Sequence, residues 1–196
     1  MAHGVGPPPM TAGVLLAAGA GRRYGKPKVL VDEWRNSALA ALRDGGCDVV
    51  VVVLGAAQVR LPDDIIVTTA SDWQAGLSAS VRAGLRKADS IGAEYAVLHV
   101  IDTPDVDAAV VSRVLQRALA SHSGLAQAYY GDRPGHPVVI ARRHWPEVIE
   151  CVTGDRGAGP FLRARDDVEI VDCADLATGV DHDEPGLGGP SGLATT

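Results

Sequence analysis

The sequence predicts an α/β fold with a mainly parallel sheet, and three features support this prediction. Short apolar segments alternate with amphipathic ones, which is the order of strands and helices in βαβ units. The run Val49–Leu54 is apolar without alternation, as in a strand that is buried on both faces. Aromatic residues make up only 4% of the chain, so Val, Leu, Ile and Ala have to form the core, which suits parallel strands covered by helices.

Each element is predicted from its apolar pattern and from the residues that end it. The helix at 37–43 is stopped by two glycines, and the helix at 76–88 has apolar residues at helical spacing. The predicted strands, in order, are 14–18, 49–54, 65–69, 95–101, 125–130, 138–141 and 168–171. The predicted helices are 37–43, 76–88, 108–120, 144–151 and 159–164, and residues 131–137 are predicted to form a turn.

We expect a single domain over residues 12–185, with a flexible leader at 1–11 and a disordered tail at 186–196. The length of 196 residues is close to that of one ordinary domain. The leader lacks the basic and apolar regions of a signal peptide. The tail is rich in Gly, Pro and Ser, which predicts a frayed segment.

The composition excludes several classes of protein. The 18 Lys and Arg against 24 Asp and Glu give a net charge of −6, which is unlike the basic footprint of a nucleic-acid-binding protein. No apolar run has the length of a membrane span. Cys47, Cys151 and Cys173 are too far apart in sequence for a metal knuckle or a disulfide framework. We therefore expect a cytoplasmic protein with reduced thiols that binds neither nucleic acid nor membrane.

The most informative segment is LAAGAGRRYGKPK at residues 16–28, directly after the first predicted strand. Its glycines allow backbone N–H groups to approach an anion closely. The segment also contains four cations in an otherwise acidic chain, Arg22, Arg23, Lys26 and Lys28. Together these features favour a polyphosphate ligand, although a plain strand-to-helix turn with solvated charges would also explain a bare glycine pattern.

Two common nucleotide-binding loops do not fit this segment. A Walker A loop requires Ser or Thr after Gly-Lys, but Pro27 follows here. A dinucleotide fingerprint has its third glycine three residues after the second, whereas Gly25 lies four after Gly21, and Pro27 interrupts the start of any helix. A hydride-transferring enzyme of the Rossmann type is therefore a weak alternative.

The segment instead resembles the signature of the MobA-like nucleotidyltransferases, L-A-A-G-x-G-x-R-[MFY]-G-x-x-K, with every fixed position present. The resemblance implies a three-layer Rossmann-like fold of the nucleotide-diphospho-sugar-transferase type. It implies a nucleotide-binding set formed here by Leu16, Ala17, Ala18, Gly19, Gly21, Arg23, Gly25 and Lys28. It further implies that Arg23 and Lys28 are catalytic, because they neutralise charge on the reacting phosphates.

A second block, at residues 72–85, is similar to the family's W-x-x-G-[ML]-x-x-S-[LV]-x-x-G-L pattern. The resemblance implies that Gly76 and Ser80 lie beside the base and sugar of the nucleotide. Without the resemblance, the same residues predict a loop and an amphipathic helix that Ser78 could cap.

The predicted metal site begins at Asp102, which ends the apolar strand at 95–101. A carboxylate at this end of a strand can hold Mg²⁺ against substrate phosphates, although such an aspartate is also common in turns. The family's D-x-P motif implies that Asp102 binds metal and nucleotide and takes part in catalysis. Its late D-x-D-x-P motif resembles residues 181–185, which implies that Asp181 or Asp183 completes the site; a solvated acidic tail is the alternative.

Two further segments resemble the acceptor side of molybdenum cofactor cytidylyltransferases. Residues 135–145 follow their G-H-P-[VL]-x-x-x-R-x-x-W pattern, and residues 154–158 follow their G-D-[KR]-G-A pattern. The resemblance implies that His136, Asp155 and Arg156 bind the acceptor, in the half of the fold that receives it. Taken alone, His136 would be a histidine at a strand start with a satisfied hydrogen bond, and His99, within the strand at 95–101, is predicted to be structural.

The motifs together predict a Mg²⁺-dependent enzyme that transfers CMP from CTP to a phosphorylated acceptor, expected to be molybdopterin cofactor, and releases pyrophosphate. Ala18 favours CTP, because guanylyl relatives tend to have Gly at that position. One alternative is a sugar-phosphate or phospholactate nucleotidyltransferase. Another is a non-catalytic protein that binds the cofactor or escorts a molybdoenzyme, with the molybdoenzyme or its chaperone as the expected partner. This last alternative follows from two departures from the family pattern, a shorter region between residues 28 and 45 and Gly159 in place of Arg.

Overall fold

The computed structural model describes residues 8–183, which form one sheet with helices on both faces. The strands are β1 (Thr11–Leu16), β2 (Val49–Leu54), β3 (Ile66–Thr69), β4 (Tyr95–Val100), β5 (Leu125–Tyr130), β6 (Arg133–Ala141) and β7 (Glu169–Asp172). The α-helices are α1 (Asp32–Asp44), α2 (Leu77–Ser90), α3 (Ala108–Ala120), α4 (Trp145–Cys151) and α5 (Gly159–Arg163). In the part of the chain that is described, none of the helices has the length and apolar character needed to cross a membrane.

The sheet has the strand order β3-β2-β1-β4-β6-β5-β7. Within residues 8–183, β6 is the strand that runs antiparallel to its neighbours, and the other pairings are parallel. Leu16 at the end of β1 pairs with Val100 at the end of β4, so the loops that follow these two strands begin side by side. The predicted α/β class and mainly parallel sheet are confirmed.

Two apolar layers enclose the sheet, one on each face. The period-two geometry of β1 sends Leu15 into one layer and Val14 and Leu16 into the other. Helices α1 and α3 cover the first layer, and α2, α4 and α5 cover the second. Because both faces are covered, every residue of β1 is buried, which explains why its sequence lacks polar alternation.

The predicted boundaries of three elements are wrong. β1 begins at Thr11 and ends at Leu16, so Ala17 and Ala18 belong to the following loop. α1 begins at Asp32 rather than residue 37, because its polar first turn gives little apolar periodicity. β6 begins at Arg133, inside the predicted turn; its prolines disfavour a strand, and a register shift in the β5–β6 pairing accommodates the irregularity.

Parts of the predicted domain organisation lie outside the described residues. These parts are most of the leader at 1–11, the end of the acidic motif at 181–185, and the tail at 186–196.

Candidate active site

A pocket of about 550 Å³ opens at the carboxyl ends of β1 and β4, the edge where ligands bind in α/β sheets. The loop after β1, the start of α2, the loop after β4 and the C-terminal segment all contribute to its wall. Among the predicted site residues, Gly25 and Arg156 do not line it. The others do: Leu16, Ala17, Ala18, Gly19, Gly21, Arg23, Lys28, Gly76, Ser80, Asp102, His136, Asp155, Asp181 and Asp183.

The glycine-rich loop covers one side of this pocket in a conformation that requires glycine at two positions. Gly21 has φ +59° and Gly25 has φ +91°, and the N–H of Gly25 donates to the carbonyl oxygen of Gly21 at 2.8 Å. A Cβ on Gly21 would lie 1.9 Å from the carbonyl oxygen of Lys26. Within residues 8–183 the N–H groups of Gly19 and Gly21 have no acceptor, so they remain available to an anion.

Lys28 is the point at which three distant parts of the chain meet. Its Nζ donates to Oδ2 of Asp102 at 2.7 Å and to Oδ1 of Asp183 at 2.9 Å. Arg23 adds a second ion pair, with Nη2 2.9 Å from Oδ2 of Asp183. The Lys28 side chain is only 11% exposed, whereas that of Arg23 is 77% exposed, so the lysine is the fixed charge and the arginine the accessible one.

The ionisation of this cluster follows from its contacts. Burial alone would lower the pKa of Lys28, but its hydrogen bonds to Asp102 and Asp183 raise the pKa above the ordinary lysine value. The same hydrogen bond lowers the pKa of Asp183. Asp181 differs, because burial and the nearby charges of Asp102 and Asp183 raise its pKa. The pocket therefore concentrates carboxylates around a single buried ammonium.

The carboxylates of Asp102 and Asp183 fit a divalent cation that binds together with a phosphate ligand. One oxygen of each approaches the same point, at which Lys28 Nζ now lies. Among residues 8–183, no group of three His, Cys, Asp or Glu side chains forms a complete metal cage. Mg²⁺ and similar hard cations commonly take one or two protein carboxylates and complete their shell with water and substrate phosphates.

The start of α2 brings the two blocks at 72–85 and 154–158 into contact. Gly76 has φ +96°, and a Cβ there would lie 2.3 Å from Oδ1 of Asp155. Ser80 is buried at the pocket wall. Ser78 does not cap the helix, because Gly76 occupies the N-cap position and the Ser78 hydroxyl donates back to the Ala75 carbonyl. Asp155 therefore lies beside the segment expected to hold the donor base.

The histidines and Arg156 occupy different environments. His136 is partly buried in the pocket wall with Nδ1 3.2 Å from the Leu98 carbonyl oxygen, and burial lowers its pKa. His99 is fully buried, and burial followed by the proximity of His136 lowers its pKa to about 3. Arg156 lies away from the pocket, with Nη2 3.4 Å from Thr153 Oγ1.

Sequence reasoning did not assign three larger side chains of the pocket wall, Tyr24, Trp73 and Gln74. Trp73 and Gln74 lie within the block at 72–85, so their proximity to Gly76 was the available signal. Tyr24 lies inside the glycine-rich segment, so its place in that segment was the available signal.

Most of the chain, including the glycine-rich loop of the pocket, matches a known protein family. Residues 13–168 match the family described as the MobA-like NTP transferase domain. The chain belongs to this family of nucleotidyltransferases. It is also 36% identical, over 197 residues, to a protein of Paenarthrobacter nicotinovorans named nicotine blue oxidoreductase, with 89% of this chain and 93% of that protein covered.

Solved structures agree with this assignment. The Rv0371c homolog from Mycobacterium sp. strain JC1 is 25% identical, with a TM-score of 0.72 over 89% of this chain and 90% of that one. Rv0371C of Mycobacterium tuberculosis H37Rv, solved in complex with manganese, is 25% identical, with a TM-score of 0.64 over 88% and 94%. The family resemblance and the nucleotidyltransferase-type fold predicted from the sequence are confirmed.

Proposed function

We propose that this MobA-like protein transfers a nucleoside monophosphate, preferably CMP from CTP, to a phosphorylated acceptor in the cytoplasm. The observation that most supports this function is the Lys28 ammonium between Asp102 and Asp183. It lines the same pocket as Gly19 and Gly21, whose N–H groups have no acceptor within residues 8–183. The manganese complex of the similar mycobacterial protein supports a divalent cation, and Mg²⁺ is the ion we propose. Molybdopterin cofactor is the proposed acceptor, because residues 135–145 and 154–158 resemble the cytidylyl enzymes.

The proposed reaction needs positioning and charge neutralisation rather than a protein nucleophile. An oxygen of the acceptor phosphate forms a bond to the α-phosphorus of CTP. The bond from the α-phosphorus to the oxygen that bridges the α- and β-phosphates breaks, and pyrophosphate leaves with that electron pair. The N–H groups of Gly19 and Gly21 bind the triphosphate, and Arg23 adds an accessible charge. A cation bound by Asp102 and Asp183 supplies further positive charge to the phosphates.

Lys28 has two alternative sets of partners in this mechanism. Its ammonium now pairs with the carboxylates that the proposed cation requires. If a cation were bound by Asp102 and Asp183, the Lys28 ammonium would be available to donate to a phosphate oxygen. A compact ammonium on a flexible stem suits such an exchange of partners.

The experiment that tests this function measures both binding and turnover. Thermal shifts with CTP, GTP, ATP and UTP, each with Mg²⁺, identify the donor, because a ligand of the native state raises its stability. Pyrophosphate release is then measured with molybdopterin cofactor, a sugar 1-phosphate and 2-phospholactate as acceptors. We expect the largest shift with CTP, and release with molybdopterin cofactor. Binding without release from any pair would support the escort alternative.

The name of the Paenarthrobacter relative favours a second candidate, the reduction of a dye such as nicotine blue. An electron donor such as a reduced nicotinamide dinucleotide would place its pyrophosphate on the same loop, although the spacing of Gly21 and Gly25 departs from the dinucleotide fingerprint. Dye-dependent oxidation of NADH or NADPH, measured without any nucleoside triphosphate, separates this activity from nucleotidyl transfer. The transferase proposal would be replaced if this assay shows oxidation of the dinucleotide and the acceptor assay described above shows no release of pyrophosphate.

A further inference from the structure

Three rings from three parts of the chain form a contact series beside the pocket, which we name the aromatic cluster: Tyr24, Trp34 and His182. The rings of Tyr24 and Trp34 have centroids 5.0 Å apart, tilted by 49°. The rings of Trp34 and His182 have centroids 5.6 Å apart and meet edge-on at 66°. Both separations lie in the range of favourable aromatic pairs. Trp34 therefore contacts the glycine loop on one side and the C-terminal segment on the other.

Trp34 is the fixed member of the aromatic cluster. It lies in the first turn of α1 and packs partly against the core layer beneath α1 and α3. The turn is held by Arg35, which donates to the Val29 carbonyl oxygen at 2.8 Å and pairs with Asp32 at 2.7 Å. The indole therefore lies where the glycine loop and the C-terminal segment meet.

The C-terminal segment is held on both sides of the aromatic cluster. Upstream, Oδ2 of Asp105 accepts from the N–H and the hydroxyl of Thr178, each at 2.6 Å. Within the cluster, the backbone N–H of His182 donates to the Asp102 carbonyl oxygen at 2.9 Å. Asp183 is the next residue, and it reaches Lys28 and Arg23. The His182 ring, which contacts Trp34, and the Asp183 carboxylate, which pairs with Lys28, therefore belong to consecutive residues.

We infer that Trp34 is a positioning residue that holds Asp183 in the cation site by bridging the His182 ring to Tyr24 of the glycine loop. The inference rests on the proposed function, since it gives Asp183 a cation to bind. Without the indole, the described residues after Thr178 keep the backbone contact of His182 and the ion pairs of Asp183 but lose an aromatic contact. Ordering them when cation and nucleotide bind then costs more conformational entropy. Cation affinity is then the first property to fall.

Trp34 could instead have a purely structural role, because its indole also packs against the core. That role predicts a different result. Loss of that packing would lower the free energy of unfolding and the amount of active protein, with no specific change in the cation requirement. Coupling between Trp34 and His182 in cation binding is the readout that such a role would not produce.

The test titrates Mn²⁺ into the full chain with a non-hydrolysable CTP analogue and follows bound Mn²⁺ by electron paramagnetic resonance. The variants are Trp34→Ala, Trp34→Phe, His182→Ala and the double Trp34→Ala/His182→Ala. Asn36→Ala is the matched control, because Asn36 is exposed on the same helix. Urea unfolding of each variant confirms that it is folded at the titration temperature.

We expect Trp34→Ala to weaken Mn²⁺ binding about tenfold, the value of two aromatic contacts. Trp34→Phe should restore most of the affinity, Asn36→Ala should match wild type, and the double variant should bind no more weakly than Trp34→Ala alone. Wild-type affinity in Trp34→Ala, or additive losses in the double variant, would overturn the inference. Failure of the wild-type protein to bind Mn²⁺ with the analogue would instead overturn the proposed function.

Discussion

At the scale of single residues, Lys28 has the most direct connection to the proposed nucleotidyl transfer. It is a nearly buried ammonium whose partners are two carboxylates separated from it by 74 and 155 positions in sequence. The glycine motif identified the residue type, because family members place a lysine there. Its pairing with Asp183 could not be predicted, since that contact depends on the return of the C-terminal segment to the sheet edge.

Replacing Lys28 with Ala should therefore have two effects of opposite direction. Turnover should fall by about 100-fold or more, as for removal of a single charge-stabilising donor. Mn²⁺ binding in the absence of nucleotide should become tighter, because Asp102 and Asp183 lose their competing cation. Pyrophosphate release and Mn²⁺ titration measure the two effects.

Lys26→Ala is the matched control for this experiment, because Lys26 is an exposed lysine of the same loop. It should change both quantities much less. Unaltered turnover in Lys28→Ala would remove Lys28 from the mechanism.

His99 makes an independent prediction about stability. Its two ring nitrogens have no hydrogen-bond partner among the described residues, and its pKa in the folded state is about 3 against an ordinary value of 6.5. Between pH 6.5 and 3, His99 is protonated in the unfolded chain but neutral in the folded chain. The contribution of neutral His99 to the free energy of unfolding is therefore fully present above pH 6.5 and is lost as the pH falls toward 3. One such group contributes a slope of about 1.4 kcal/mol per pH unit.

His99→Leu should therefore reduce the pH dependence of the free energy of unfolding by about one proton between pH 6 and 5. The substitution also removes two unpartnered polar atoms, so the variant should be at least as stable as wild type near neutral pH. Urea unfolding at several pH values measures both effects. An unchanged pH slope would show that His99 does not titrate as its burial indicates.

At the scale of elements, the glycine-rich loop connects β1 to the site. Its sequence was sufficient to predict a glycine-rich turn, because glycine spacing is a local property. That the turn binds an anion stays a prediction. The start of β6 could not be predicted, because Pro134 and Pro137 disfavour a strand by local pattern, whereas Arg133 and Pro134 pair with β5 in the folded sheet. The contact of Gly76 with Asp155 was equally inaccessible, since it joins two loops that are distant in sequence.

The loop offers a matched pair of glycine substitutions. Gly21→Ala forces a Cβ into a left-handed conformation 1.9 Å from a carbonyl oxygen, so stability should fall by at least about 1 kcal/mol and nucleotide binding should be lost. A Cβ on Gly19 meets nothing within 4 Å, so Gly19→Ala should fold with near wild-type stability. Urea unfolding and the thermal shift with CTP and Mg²⁺ test this difference; equal destabilisation by both substitutions would contradict the loop geometry.

At the scale of the whole molecule, the sheet edge brings together segments that begin at Leu16, Gly76, Asp102 and Asp181. The parallel topology made this edge a predictable place for a ligand, and the match to the MobA-like NTP transferase domain favours a nucleoside triphosphate as the proposed ligand. The choice of base and acceptor depends on the shape of the complete pocket, which neighbouring loops determine together. Sequence motifs constrain that shape only through resemblance.

The donor preference is the prediction at this scale. CTP should outcompete GTP for the pocket. Ala18→Gly should reduce this preference for CTP by opening space beside the nucleotide, since Ala18 lines the wall. The added backbone freedom should cost about 0.5 to 1 kcal/mol of stability, so unfolding is measured alongside competition binding. A wild-type preference for GTP or ATP would refute the cytidylyl assignment while leaving the transferase family intact.

The most direct test of the central proposal follows the α-phosphate of CTP during turnover with molybdopterin cofactor, in wild type and in Asp102→Asn. We predict that CTP labelled at its α-phosphate passes the label to the acceptor while an unlabelled pyrophosphate is released. Asp102→Asn, which keeps the size of the side chain but loses the charge that holds a hard cation, should require far more Mg²⁺ for the same transfer. Label that stays in CTP or appears in free CMP, or an Asp102→Asn variant with wild-type Mg²⁺ dependence, would contradict the account.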